Sequence, residues 1–362
     1  MEVLREEAAR DLWQTLRAGV EEGLRLSAPA EWERHEATWL AWPHNTETFP
    51  PPILRRVQEI YAEMVAEVSR GEVVKIIVPS SESGERVMEM LGEHGAYETS
   101  VELLELWSAD VWVRDYGPIF ARILGGGRLA GVKWRFNAWG GKYGELAKDD
   151  ETGRRILELS GAEPVLRSLV IEGGAVEVSG DGLVVATEQC LLDPARNPGA
   201  DRRLLESELA QFLGARHVLW LRRGLVGDDT DGHVDVFCRF APGGKILLAE
   251  TRAAPNHDIL EEAAATLTGY VDALGLPFSV VRVPMPPPVR VLGMTVPATY
   301  LNYYVTNAAV LLPVFGARED EEAYSLLSEC YPDRRVVALR CPELFYGLGG
   351  PHCVTLHQPQ GS

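Results

Sequence analysis

One pattern recurs along this chain and limits what it can fold into. A strand-like apolar run carries a polar residue, turns at Gly, Asp or Asn, and leads into a second apolar strand and then a helix. Copies start at Trp112-Val113-Arg114-Asp115, Glu172-Gly173-Gly174, His233-Val234-Asp235 and Tyr300-Leu301-Asn302, and the last is His352-Cys353-Val354-Thr355-Leu356. The polar markers return at roughly 60-residue intervals, long for a solenoid but suited to a supersecondary repeat. Amphipathic periodicity predicts helices over 53–69, 84–94, 150–160, 201–214, 257–274 and 319–330, with Asp201 and Asn256 as N-caps. An N-terminal amphipathic helix is expected over 3–25, and Pro284–Pro288 reads as a stiff extended linker. The last copy has no hairpin after it. The unpaired apolar strand at Thr38–Trp42 is therefore expected to pair with Val354–Leu356, closing a ring and removing an open edge.

Closure would bring the markers together at the centre. They are Asp115, Glu172, His233 with Asp235, Asn302 and Cys353. His233 and Asp235 are two apart, so on a strand they share a face. Converging carboxylates suit a cation with several N–H donors, and a planar guanidinium offers five. A thiol can attack a trigonal carbon, and an imidazole can move protons to and from the leaving group. Singly, each residue has an ordinary structural reading: a buried thiol, a turn carboxylate, a core histidine. Trp112, Trp134 and Trp139 read first as core.

Composition narrows the partner. A formal net charge of -18 disfavours nucleic acid and anionic membrane and favours a small cation. No run approaches the ~18 apolar residues of a membrane-spanning helix, and the first residues are too acidic for a secretory signal. The five cysteines are scattered and lack Cys-x-x-Cys spacing, which points to reduced thiols and a cytoplasmic location.

Seven stretches, in order, carry a resemblance. They are Pro29–Glu33 through Asn45, Trp112–Pro118, Phe136-Asn137-Ala138-Trp139-Gly140-Gly141, Glu172-Gly173-Gly174, Arg196-Asn197-Pro198, Asp229–Asp235, and His352-Cys353 with Gln358-Pro359. The chain resembles the agmatine deiminases of the guanidine-modifying superfamily, which also holds arginine and peptidyl-arginine deiminases. The resemblance implies a five-bladed, pseudo-fivefold α/β propeller (pentein) of ββαβ units. It makes Cys353 the nucleophile, His233 the general acid/base and Glu172 a support for His233 and the guanidinium. It also assigns Asp115, Asp235, Asp110, Trp112 and Trp139 to substrate binding. It implies no metal and no organic cofactor. Two departures stand out: Gly349-Gly350-Pro351 replaces the usual Asn-containing loop before His352-Cys353, and Val236 stands where many relatives have Asn.

The chain is thus expected to hold an N-terminal helical extension (1–28) and a single catalytic domain (29–362). The partner is a small cationic guanidine, with the protein a monomer or a homo-oligomer. Agmatine is the expected substrate, and peptidyl-arginine or another guanidine is the alternative. A manganese ureohydrolase is a weaker alternative, suggested by Asp231-x-His233-x-Asp235, because no separate Asp-x-Asp pair supplies bridging carboxylates.

Overall fold

The structure is a computed structural model that describes residues 25–270 and 278–361. Five sheets share one plan. An antiparallel pair is followed by a helix, and a third strand returns parallel to the second. The first sheet pairs Leu356–Pro359 with His35–Ala41, then adds Val73–Val78 and Val101–Glu105. The second runs Leu26–Ser27, Ile119–Ile123, Leu129–Arg135 and Glu163–Val170. The third runs Val176–Val178, Leu183–Thr187 and His217–Leu221, and the fourth Cys238–Ala241, Lys245–Glu250 and Ser279–Pro284. The fifth runs Tyr304–Val305, Ala309–Val314 and Arg335–Arg340. A hairpin of Val289–Val291 and Met294–Val296 stands apart from them, with no counterpart in the sequence reading.

The middle strands explain the plan. Leu183–Thr187 is buried at every position, and so is nearly all of Ala309–Val314. Such runs are stable only when both faces are covered, which parallel crossovers with helices provide. The helix Pro51–Val68 turns Val57, Ile60, Tyr61, Met64, Val65 and Val68 inward at helical spacing. Each large apolar side chain buried this way contributes about 1.5–3 kcal/mol.

The six long helices fall where periodicity puts them: Pro51–Val68, Ser81–Glu93, Asp149–Ser160, Arg202–Leu213, Asn256–Leu267 and Glu319–Cys330. Asp201 caps its helix by accepting from Leu204 N at 2.9 Å. Asn256 does not act as a cap. It lies inside the first turn, and its Oδ1 accepts from Val226 N at 2.8 Å, tying two loops together. The helix expected over 257–274 stops at Leu267, and 271–274 lie outside the described residues. So does the N-terminal helix expected over 3–25, apart from Arg25. Within the expected extension, Leu26–Ser27 is a strand paired with Ile123 and Arg122, not helix.

The expected closure is present with a shifted boundary. Leu356 pairs with Trp39 and His357 with Thr38, so the last strand of the described chain closes onto His35–Ala41 in the first sheet. Trp39 Nε1 also donates to Gln358 Oε1 at 2.9 Å, where both residues are buried.

Each marker sits in the loop that enters the first strand of a sheet, not on the strand itself. Asp115 lies in the helical turn Val113–Tyr116, ahead of Ile119–Ile123. Glu172 precedes the turn Gly173–Ala175. Val234–Val236 forms a tight helical turn, so the strand expected at His233–Asp235 begins only at Cys238. The cause is local. Asp228 Oδ2 accepts from Gly232 N (2.7 Å) and His233 N (3.0 Å), giving that backbone side-chain partners in place of a ladder.

Candidate active site

Five loops bring their markers to one place. The tightest indication is Gly174. A Cβ added there would lie 2.6 Å from His233 Nδ1, 3.0 Å from Asp115 Oδ1 and 3.0 Å from Asp235 Oδ2. Three side chains from two loops therefore converge on one bare α-carbon of a third. Gly174→Ala is expected to displace them and lower kcat/KM roughly a hundredfold. Steady-state kinetics beside a thermal melt would check this, with the melt little changed.

Asp115 is held for its task. Trp139 Nε1 donates to its Oδ2 at 2.9 Å and Gly174 N to its Oδ1 at 3.1 Å. Trp139 reaches it from a left-handed run: Ala138, Trp139, Gly140 and Gly141 all have positive φ, with Trp139 at 53°. A non-glycine residue is rarely held there, and such strain is concentrated at functional sites. Burial raises the Asp115 carboxyl above its usual range, with His233 opposing and Asp235 and Glu172 adding to the rise.

His233 is fully buried, with Nδ1 3.8 Å from Asp115 Oδ1 and Nε2 3.9 Å from Glu172 Oε2. Neither ring nitrogen has a hydrogen-bond partner. Burial would lower its pKa, but Asp115, the Cys190 thiol and Glu172 carry it well above the ordinary value, so the ring holds a proton to give.

Glu172 is locked by Arg196, whose Nε donates to both carboxylate oxygens at 2.8 and 3.1 Å. Burial works against ionisation here, yet Arg196 and His233 hold the carboxyl down at about 2. A carboxyl depressed in the folded state stabilises the fold above its unfolded pKa of about 4.3. That contribution is lost as pH falls from there toward about 2. It is worth about 3 kcal/mol at neutral pH. Urea midpoints taken between pH 6 and pH 3 should fall for the native protein and stay flatter for Glu172→Gln.

Asp235 is placed by a chain of buried charges. His352 Nδ1 lies 2.6 Å from Asp235 Oδ2, and His352 Nε2 lies 2.7 Å from Glu31 Oε2. A carboxylate can only accept, so both ring nitrogens donate. Glu31 is fixed in turn by Arg239 (3.0 Å), Arg114 (3.1 Å) and Val305 N (3.0 Å). Burial would raise the Asp235 carboxyl, but His352 and then His233 hold it below its usual range. Its Oδ1 is buried without a partner.

Cys353 lies in the turn before the closing strand. Its Sγ is 3.7 Å from Asp235 Oδ2. Asn302 Oδ1 accepts from His352 N (3.2 Å) and Cys353 N (3.3 Å), while its Nδ2 donates to Asp235 Oδ2 at 3.3 Å. The marker with the plainest reading is thus the one that fastens the Cys353 backbone to the Asp235 carboxylate. Burial, then the charges of Asp235 and Asp115, push the Cys353 thiol well above its ordinary pKa.

A cavity of about 440 Å³ leads to this cluster. Asp115 and Cys353 lie among its lining residues, with Trp112 and Trp139 as aromatic walls and Glu47, Glu145, Asp229, Tyr143 and Tyr346 also facing it. Asp110 is a correction to the expected set. Like Glu172, His233 and Asp235 it is fully buried and outside the cavity lining, but its carboxylate is taken up by the wall. It binds the Thr48 hydroxyl and Asn45 Nδ2, two residues that line the cavity. Val111 N also donates to that carboxylate, at 2.8 Å.

Sequence reasoning missed the supporting charges Glu31, Arg114, Arg196, Arg239 and His352. Glu31, Arg114, Arg196 and His352 fall inside the stretches that carried the resemblance, so their signal was present without a role attached. The suspected Asp-x-His-x-Asp metal motif does not assemble. Asp231 turns outward to Lys142 Nζ at 2.7 Å, with a side chain 37% exposed. Among the described residues, the one group spaced to ligate a metal is Glu172, Cys190 and His233. No described helix is long and apolar enough to cross a membrane.

Residues 27–359 match the family described as Porphyromonas-type peptidyl-arginine deiminase. The agmatine deiminase of Stutzerimonas stutzeri is 33% identical over 356 residues, covering 91% of this chain and 95% of its own. That of Medicago truncatula is 34% identical over 365 residues, covering 91% and 96%. Among solved structures, the agmatine deiminase of Enterococcus faecalis aligns with a TM-score of 0.84 at 28% identity, over 92% of this chain and 96% of that one. Matched along almost its whole length in sequence and in fold, the chain belongs to the Porphyromonas-type peptidyl-arginine deiminase family.

Proposed function

We propose that this chain hydrolyses agmatine to N-carbamoylputrescine and ammonia through a covalent Cys353 intermediate. The observation that carries the reading is the convergence of Asp115, Asp235 and His233 on Gly174 with Cys353 beside them. Two buried carboxylates, one with an unpaired oxygen, call for a planar cation rich in donors.

The guanidinium enters between Asp115 and Asp235. Its charge offsets the two carboxylates that hold the Cys353 proton, so substrate itself favours the thiolate. The thiolate attacks the guanidinium carbon. His233 gives its proton to one amino nitrogen, and ammonia leaves as the carbon–nitrogen bond breaks. The S-alkylthiouronium that remains is attacked by water, whose proton passes to the now neutral His233. Collapse expels the Cys353 sulfur, which takes the second proton of that water and returns to the thiol, and leaves the ureido oxygen. Glu172, fixed by Arg196, keeps the ring oriented through both steps.

The acidic lining favours agmatine over free arginine. Glu47, Glu145 and Asp229 would attract the far amine and repel an α-carboxylate. We also propose that the five sheets are the blades of a pseudo-fivefold propeller, with the loops of the site at its centre and residues 29–362 as one catalytic domain. The five cysteines are all free and buried, which supports a reducing, cytoplasmic setting.

The test is a product assay. Agmatine, arginine and a blocked arginyl peptide are each supplied, with ammonia and ureido product measured in the presence and absence of chelator. Agmatine should turn over and chelator should not lower the rate. Turnover of the peptide alone would move the reading to peptidyl-arginine, and activity restored only by manganese would overturn it.

A further inference from the structure

On the Nε2 side of His233 lies a cluster that the proposed chemistry does not use in full. The ligand atoms of Glu172, Cys190 and His233 are all within 4.8 Å of one another, and all three residues are buried. They come from three separate segments, so no Cys-x-x-Cys spacing could announce them.

The frame around them is fixed. Thr187 Oγ1 accepts from Cys190 N at 3.1 Å and donates to Gly232 O at 2.7 Å, which ties the thiol's turn to the residue before His233. Arg196 holds Glu172 from its other side. Inside that frame the His233 ring is fully buried with both nitrogens unpaired. A cation that displaced the Nε2 proton would bridge this nitrogen to the carboxylate and the thiol that face it.

We propose that Glu172, Cys190 and His233 form an inhibitory binding site for a thiophilic divalent cation, zinc by its chemistry. One thiolate, one imidazole and one carboxylate are zinc's ordinary ligands, and three protein ligands leave the fourth position to water. A tetrahedral zinc keeps its ligands roughly 3.4 to 3.7 Å apart. His233 Nε2 and Glu172 Oε2 stand 3.9 Å apart and no two ligand atoms lie beyond 4.8 Å, so side-chain shifts of roughly 1 Å close the set.

Charge also balances. Binding displaces the thiol proton of Cys190 and the Nε2 proton of the imidazolium. Two protons leave as one dication enters, so Arg196 faces no added positive charge. With the metal on Nε2, the ring keeps its hydrogen on Nδ1 and has no lone pair to take a proton from water. The enzyme is held inactive with its nucleophile untouched. Binding stands on the geometry alone, whereas inhibition rests on the acid/base role proposed for His233.

Cobalt(II) is the probe, because its thiolate complexes show a charge-transfer absorption. It is titrated into chelator-treated native protein, Cys190→Ala, Cys190→Ser and Cys353→Ala. The band should appear in the native and Cys353→Ala proteins, be absent from both Cys190 variants, and disappear when zinc is added. In parallel, zinc should inhibit agmatine hydrolysis reversibly, with the half-inhibitory concentration raised at least tenfold in whichever Cys190 variant retains activity. A band that persists in a folded Cys190 variant, or vanishes in Cys353→Ala, overturns the proposal by placing the metal on another thiol. A Cys190-dependent band in a protein that does not hydrolyse agmatine would leave the metal site standing and remove the functional reading instead.

Discussion

Cys353→Ser is expected to lower kcat by about four orders of magnitude while leaving the fold intact. A serine hydroxyl fills nearly the same space, but it ionises far less readily than a thiol, and its environment already works against ionisation. Burial and the charges of Asp235 and Asp115 push even the thiol upward. The side chain takes no part in the backbone bonds that hold the turn, since Asn302 accepts from the Cys353 N–H. Circular dichroism and the melting temperature should therefore match the native protein. Acid-quenched mass spectrometry during turnover should show an amidino adduct on the Cys353 peptide of the native enzyme and none on the variant. An adduct on another residue, or a variant that keeps a tenth of native activity, would falsify the covalent route.

Asp115→Asn and Asp235→Asn are expected to lower kcat/KM by a hundredfold or more each. Either change keeps the shape but removes a charge and part of the acceptor capacity facing a guanidinium. A charge-assisted bond is about twice as strong as a neutral one, and a desolvated cation without its partner is costly. A loss of about 3 kcal/mol corresponds to roughly that factor. The same substitutions should act oppositely on the free thiol. Each removes a negative charge that raises Cys353, so alkylation of Cys353 by a neutral reagent at neutral pH should quicken as turnover falls. Rates that move down together would mean that the turn had been disturbed. Asp235→Asn carries the greater structural risk, because Asp235 also receives His352 and Asn302. Asp115→Asn is the cleaner of the two.

Repeats were the most legible feature of the sequence. Five returns of strand, turn, strand and helix correspond to five sheets of one plan, and the boundaries of the closing pair fall within three residues of those expected. What the sequence misjudged was the conformation of the markers. His233 and Asp235 read as strand because apolar β-formers follow them, yet Asp228 accepts the backbone N–H groups of Gly232 and His233 and turns the chain. Alternation assigns faces only where a ladder exists. The catalytic residue types were visible as an unusual set. Their supports were not, because Glu31, Arg239 and His352 act through buried pairs across hundreds of positions, and no local pattern records such a pair. Asp110 shows the converse error: its neighbourhood was right, but its carboxylate faces the wall and not the cavity.

The closing pair also bears on the order in which the molecule can be made. Trp39 and Gln358 are bonded across 319 positions, and contacts so distant in sequence are the slow ones to form because the loop entropy must be met first. Three of the other four sheets need only neighbours near in sequence and can form as units, and the second takes a distant strand only at its Leu26–Ser27 edge. Cys353 sits three residues before the strand that arrives last. A partly folded chain would then carry the carboxylates and the histidine while lacking the thiol in place. Refolding followed by two probes should show tryptophan burial preceding the return of Cys353-dependent turnover, with the lag set by closure of the first sheet.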